Sequence, residues 1–144
     1  MGSVTDAAGN QIASVGSWST MRPGARAVAG AFAVSGAVHL VRPAIFRPLI
    51  PPALPAPNVW IVGTGIAELV CAVGLASGQR WAPAATAATL LAVWPGNGWH
   101  AVATQRSSAH PAVKAAVWAR LPLQVPMIFS VMRPYHDGAV TSEG

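Results

Sequence analysis

Charged side chains are scarce in this sequence: Asp, Glu, Lys and Arg together make up 9% of its 144 residues. Ordinary soluble proteins contain roughly 25% of these residues. The few that are present cannot cover the surface of a water-soluble globule of this length, which excludes a soluble enzyme and a disordered chain. Lysine occurs once, at Lys114, and the arginines are scattered between apolar runs, so the net charge of +5 does not indicate a nucleic-acid binder.

Cysteine is almost absent as well. Cys71 is the single cysteine of the sequence, which excludes an intramolecular disulfide and a CxxC redox pair. Thiol chemistry would require a partner protein or a small thiol. Cys71 shares a helical face with Glu68 but lies about 5 Å further along the chain's second apolar run, and we expect its thiol to be buried, unreactive and dispensable.

Apolar residues dominate what remains: the hydrophobic set accounts for 53% of the chain, and the mean hydropathy is +0.46. Four apolar runs cover residues 24–41, 59–78, 81–103 and 113–132. A bilayer core needs about 20 helical residues, so each run is long enough to span it. The sequence predicts an all-α, integral membrane, antiparallel four-helix bundle with both termini on one side, located as a multi-pass protein in the inner or plasma membrane.

The connections divide the chain further. Residues 42–58 contain six prolines together with apolar side chains, which predicts a Pro-rich cover between helices 1 and 2 rather than a continuous helix. We expect a mobile polar tail over residues 1–21, a membrane domain over 22–133 and a C-terminal tail over 134–144.

Small residues recur at four-residue spacing within the apolar runs, a pattern typical of close helix contacts in membranes. The predicted contact stripes are Ala25, Ala29, Ala33 and Ala37 in helix 1, Gly74 and Gly78 in helix 2, and Ala84, Ala88 and Ala92 in helix 3.

Six polar residues stand out among those inside the apolar runs, where ionisable groups are costly and therefore often functional. At about 1.5 Å per helical residue, all six lie in the half of the bilayer next to the Pro-rich cover. We expect them to form a polar pocket consisting of His39, Glu68, Asn97, His100, Arg120 and Gln124.

Glu68 and Arg120 are the one acid and the one strong base of this set, at similar depth. An unpaired charge there would be unfavourable, so we expect an ion pair between them. Pro95, Gly96 and Gly98 predict an interruption of helix 3 beside the pocket. Two interpretations remain open at this point: a pocket that binds a ligand, or a structural ion pair that fixes the helix register.

Several short motifs resemble the DoxX-like family of small bacterial membrane proteins over residues 24–133. They are GAVHL at 36–40, RP at 42–43, PP at 51–52, EL at 68–69, PGN at 95–97 and RLPLQ at 120–124. The resemblance implies a four-helix integral membrane protein. It also implies a link to thiosulfate oxidation feeding quinone, or to membrane-associated oxidoreductase complexes that handle oxidative stress.

Taken together, these patterns predict a multi-pass membrane protein with a polar intramembrane pocket, acting as a quinone- or lipid-binding accessory subunit of a membrane redox system rather than as an enzyme on its own. Quinone is the candidate cofactor, and no metal site is expected. The lipid bilayer, a membrane-associated oxidoreductase and a second copy in a homodimer are the candidate partners, with no nucleic acid among them. The alternatives are a structural or assembly partner whose buried polar network only fixes helix packing, and a small transporter acting as a dimer.

Overall fold

The computed structural model describes residues 16–136, and within this range the chain is entirely helical, with no strand. The four α-helices are α1 (Pro23–Val41), α2 (Pro57–Ala76), α3 (Ala82–Gln105) and α4 (Pro111–Met132), with short 3-10 helices at Trp18–Thr20 and Pro43–Leu49. Three of the α-helices begin with proline, whose missing N–H costs nothing in the first turn of a helix. The prediction of an all-α chain is confirmed.

The helices pack mainly on their neighbours in chain order. The most extensive contacts join α1 to α2 and α3 to α4, and smaller contacts join α2 to α3 and α1 to α4. A tight turn links α2 to α3, where Gly78 adopts a left-handed φ of 71° and its N–H donates to the carbonyl of Leu75 at 3.1 Å. Glycine adopts this conformation without strain, which explains how α2 ends within two residues.

Three of the four α-helices, α1, α2 and α4, are long and apolar enough to cross a membrane. This finding suggests a membrane protein, as the composition predicts. The longest helix, α3, is not among the three. Its apolar residues are diluted by proline and by polar side chains, among them Asn97 and His100.

The predicted stripes of small residues are only partly buried. In α1, Ala25 and Ala29 belong to the core, but Ala33 and Ala37 are exposed. In α3, all three predicted alanines, Ala84, Ala88 and Ala92, are exposed. An α-helix has 3.6 residues per turn, so a strict four-residue stripe drifts by about 40° at each step and leaves the contact face.

The interruption expected in α3 is absent from the structure. The helix runs through Pro95, Gly96 and Gly98 without a break, and α4 likewise continues through Pro122 and Pro126. A proline inside a helix removes one backbone hydrogen bond, while the flanking turns keep theirs. The prediction considered only the helix-breaking residues. It left out the extensive packing of α3 on α4, which supports both helices along their length.

Two segments predicted as tails meet at the end of the helices opposite the Pro-rich cover. The N–H of Arg22 donates to the carbonyl of Pro134 at 2.7 Å, and the N–H of His136 donates to that of Thr20 at 3.1 Å. Met21, which pairs with Tyr135 in an isolated bridge, is only 1% exposed and belongs to the core. The remaining parts of the predicted tails, residues 1–15 and 137–144, lie outside the described residues.

Candidate functional site

A cavity of about 220 Å³ lies beneath the Pro-rich cover, between α1, α2 and α3, with one contribution from α4. Its walls are mostly apolar and come from Phe46, Leu49, Ile50, Pro51, Leu54, Trp60, Ile61, Ala92, Val93, Pro95 and Gly96. Its polar lining consists of Ser35, His39, Thr64, Glu68, Asn97 and Arg120. An apolar wall with a small number of convergent polar groups is typical of a small-molecule site.

The most buried charged group of this cavity is the carboxylate of Glu68, a residue that is 7% exposed. Its Oε2 lies 3.4 Å from Nδ1 of His39 on α1. Oε2 is buried and has no hydrogen-bond partner among residues 16–136. An acceptor left unsatisfied in this way costs about 1–3 kcal/mol relative to a bonded one.

The imidazole of His39 is held on two sides. Nδ1 lies 2.8 Å from the carbonyl oxygen of Ser35, one turn earlier on the same helix. A carbonyl can only accept, so Nδ1 carries the hydrogen and donates it there. Phe46 from the 3-10 helix stacks on the imidazole, with ring centroids 3.5 Å apart and an angle of 17° between the planes. The ring therefore connects α1 to the Pro-rich cover.

The Pro-rich cover also contacts α3. Gly96 faces the cover, and a Cβ placed on it would lie 3.4 Å from the carbonyl oxygen of Leu49. At its far end, the indole N–H of Trp60 donates to the carbonyl of Pro55 at 3.1 Å. The cover is therefore attached both to α3 and to the start of α2, above the Glu68 carboxylate.

Arg120 does not form the ion pair expected with Glu68. Within the described residues, the basic side chain next to the Glu68 carboxylate is His39, and no N–O distance of 4.0 Å or less joins Glu68 to Arg120. Arg120 is exposed on α4, where it lines the cavity and acts on Glu68 electrostatically at longer range. Depth estimates from helix position place two residues at one level but do not give the lateral distance between helices.

Four of the six predicted pocket residues line the cavity: His39, Glu68, Asn97 and Arg120. The other two lie elsewhere. His100 is half-buried on α3 and is not part of the lining. Gln124 is 3% exposed, and its Nε2 donates to the carbonyl of Leu90 at 2.8 Å, so it joins α4 to α3.

The sequence reasoning missed two aromatic lining residues. Phe46 lies in the segment predicted as the Pro-rich cover and Trp60 at the start of the second apolar run, and neither was predicted to line the pocket. The apolar character of residues 42–58 was the available signal for Phe46, but the stacking on His39 depends on how the chain turns after α1.

Cys71 lies outside the cavity. It is 3% exposed, and its Sγ lies 3.7 Å from the hydroxyl of Thr89 on α3. No three His, Cys, Asp or Glu residues within the described range come close enough to hold a metal ion.

Comparison with known proteins changes the family assignment made from the motifs. No curated protein and no solved structure matches the chain. Residues 28–134 match a family model described as a domain of unknown function, DUF8561, and not a DoxX model. The DoxX-like assignment is therefore wrong, because it depended on motifs of two to five residues that small membrane proteins can share by chance. The redox and quinone roles that it implied lose their support, and the chain belongs to the DUF8561 family.

Proposed function

We propose that this protein is a multi-pass membrane protein in which four antiparallel helices enclose a binding pocket for a small amphipathic molecule. The helices contain 19, 20, 24 and 22 residues. At 1.5 Å per residue they are about 28–36 Å long, close to the roughly 30 Å of a bilayer core.

The outer surface supports a membrane location. Only 17% of the apolar window of α4 is buried, and large apolar side chains on its outer face are exposed, such as Phe129 at 72%. Monomeric soluble proteins rarely expose apolar surface this extensively. The α3 helix has no Asp, Glu, Lys or Arg, and its contacts with α2 and α4 shelter polar groups that lipid would not tolerate.

The observation that carries the binding function is the Glu68 carboxylate, buried beside an apolar cavity with its Oε2 unsatisfied. Oγ1 of Thr86 and Oε1 of Gln124 are also buried without a hydrogen-bond partner in the described part of the chain, but of these three residues only Glu68 lines the cavity. An unfilled acceptor that lines a cavity is suited to a group brought in by a ligand.

The size of the cavity limits the ligand. Pockets for drug-sized molecules have volumes of roughly 300–1,000 Å³, whereas this one measures about 220 Å³. It suits a compact molecule, or the polar head of a longer one whose apolar part extends into the lipid.

A cavity-filling variant with a matched control tests this function. Ala92 and Ala88 are both exposed on α3, one turn apart, but only Ala92 lines the cavity. We expect Ala92→Phe to obstruct the cavity and Ala88→Phe to leave it open. The three proteins, including the unsubstituted one, are purified gently and their bound small molecules are identified by mass spectrometry.

A compound retained by the unsubstituted protein and by Ala88→Phe, but lost from Ala92→Phe, would support a binding pocket. The same profile in all three proteins would contradict it and would favour the structural alternative, in which the polar residues only fix helix packing.

A further inference from the structure

We propose that the cavity selects a neutral molecule carrying an O–H donor, such as a phenol or an alcohol with a compact apolar body, and that Glu68 is the acceptor. This inference rests on the proposed function, since it names the class of ligand for the same cavity. It follows from three features of the lining: a vacant acceptor, balanced charge and apolar walls.

The Ser35 hydroxyl acts on the Glu68 side chain as a hydrogen-bond donor, but Oε2 itself has no hydrogen-bond partner among the described residues. Nδ1 of His39 donates to the Ser35 carbonyl at 2.8 Å, and its distance of 3.4 Å to Oε2 of Glu68 is longer than a good hydrogen bond. Phe46 stacks against the imidazole ring itself. The terminal torsion of a glutamate is broad, so rotation of the carboxylate can direct Oε2 toward a ligand in the cavity.

The charge of the lining favours a neutral ligand. Glu68 and Arg120 are side chains of opposite charge in the lining, so the carboxylate already has a balancing positive charge at the same cavity. A cationic ligand would leave one positive charge uncompensated in an apolar site, and an anionic ligand would meet the carboxylate. Uncompensated buried charge is strongly unfavourable.

The polar and apolar parts of the lining are segregated. Leu49, Ile50 and Leu54 of the Pro-rich cover provide apolar contacts for the body of a ligand, while Glu68 comes from α2. A phenol or alcohol can therefore bury its apolar part against the cover while its hydroxyl donates to the carboxylate. Hydrogen bonds to charged acceptors are stronger than those to neutral ones.

Three probes with the same number of non-hydrogen atoms test this inference. They are para-propylphenol, its analogue with fluorine in place of the hydroxyl, and para-ethylbenzylammonium. Binding is measured by titration calorimetry with the protein in phosphatidylcholine nanodiscs, and nanodiscs containing Ala92→Phe provide the baseline for partitioning into lipid.

We expect the phenol to bind at least about tenfold more tightly than the fluorinated analogue, which corresponds to roughly 1.4 kcal/mol. The ammonium probe should bind more weakly than the phenol. In Glu68→Gln, the preference for the phenol should fall to about threefold or less, because a neutral amide oxygen is a weaker acceptor than a carboxylate. The comparison of the probes on the unsubstituted protein stands alone if this variant does not fold.

The remaining outcomes separate this inference from the proposed function. Equal binding of the phenol and the fluorinated analogue, both lost in Ala92→Phe, would overturn the donor requirement and leave the pocket in place. Tighter binding of the ammonium probe would overturn the requirement for neutrality. Binding of no probe above the Ala92→Phe baseline would contradict the pocket itself.

Discussion

Gly36 of α1 and Gly65 of α2 lie against each other where the two helices cross, with no room for a side chain on either. A Cβ on Gly36 would lie 2.7 Å from the carbonyl oxygen of Gly65, and a Cβ on Gly65 would lie 2.6 Å from Cβ of His39. Close backbone approach of this kind is how small residues join helices in membranes. It also brings His39 beside Glu68, which lies one turn after Gly65.

We expect Gly65→Ala to destabilise the protein and to displace His39. Overpacking a close contact typically costs about 1–3 kcal/mol, and the backbone of α1 and the stem of His39 leave little room for adjustment. The measurement is the free energy of unfolding in mixed detergent. Gly63→Ala is the control, because nothing lies within 4 Å of a Cβ at that position of the same helix. Equal stability of the two variants would show that the helices are further apart here.

The pairing of Glu68 is tested by two double-mutant cycles. We expect Glu68→Gln and His39→Gln to be coupled by about 0.5–3 kcal/mol, because the two side chains are in contact. Glu68→Gln and Arg120→Gln should be coupled less strongly, because no N–O distance of 4.0 Å or less joins these side chains and Arg120 acts on Glu68 only at longer range. Free energies of unfolding in detergent provide both cycles. The reverse order of coupling would restore the ion pair that helix positions alone predict.

These residues show what sequence can and cannot give. The helical class follows from hydropathy, and the half of the molecule in which polar residues gather follows from the rise per residue. This estimate grouped His39, Glu68, Asn97 and Arg120, which line one cavity. The partner of Glu68 could not be obtained in this way, because it depends on the crossing of α1 and α2 at Gly36. Gln124 was misplaced for a related reason: its rotation about α4 directs it to the Leu90 carbonyl of α3.

We expect the stability of the folded protein to fall at alkaline pH because of Tyr135. Its hydroxyl donates to the carbonyl of Leu75 at 2.5 Å, and this hydrogen bond joins the segment after α4 to the end of α2. Burial raises the pKa of Tyr135 above its ordinary value of 10.0. A raised pKa in the folded state means that the stabilisation is complete below pH 10.0 and is lost as the pH rises through the folded-state pKa.

Melting temperatures of the unsubstituted protein and Tyr135→Phe, measured in detergent from neutral to strongly alkaline pH, test this expectation. At neutral pH the variant should be less stable by about 0.5–1.5 kcal/mol, the net value of a typical hydrogen bond. The difference should shrink as the pH rises beyond 10.0, the ordinary pKa of tyrosine. A difference that stays constant with pH would show that Tyr135 stabilises the fold by packing alone.

The topology depends on whether α3 crosses the membrane with the other three helices. If it does, residues between α2 and α3 lie on the same side as the paired segments around Met21 and Tyr135, and residues between α3 and α4 lie on the opposite side.

Single cysteines at Gln79 and Ser107 distinguish the two cases. They are introduced in Cys71→Ala so that the buried native thiol cannot react. We expect a membrane-impermeant maleimide to label Gln79→Cys and Ser107→Cys from opposite faces of sealed vesicles. His136→Cys, at the paired end, should be labelled from the same face as Gln79→Cys. Labelling of Gln79→Cys and Ser107→Cys from one face would mean that α3 does not cross, and the cavity between α1, α2 and α3 would then open at the membrane surface instead of within the bilayer.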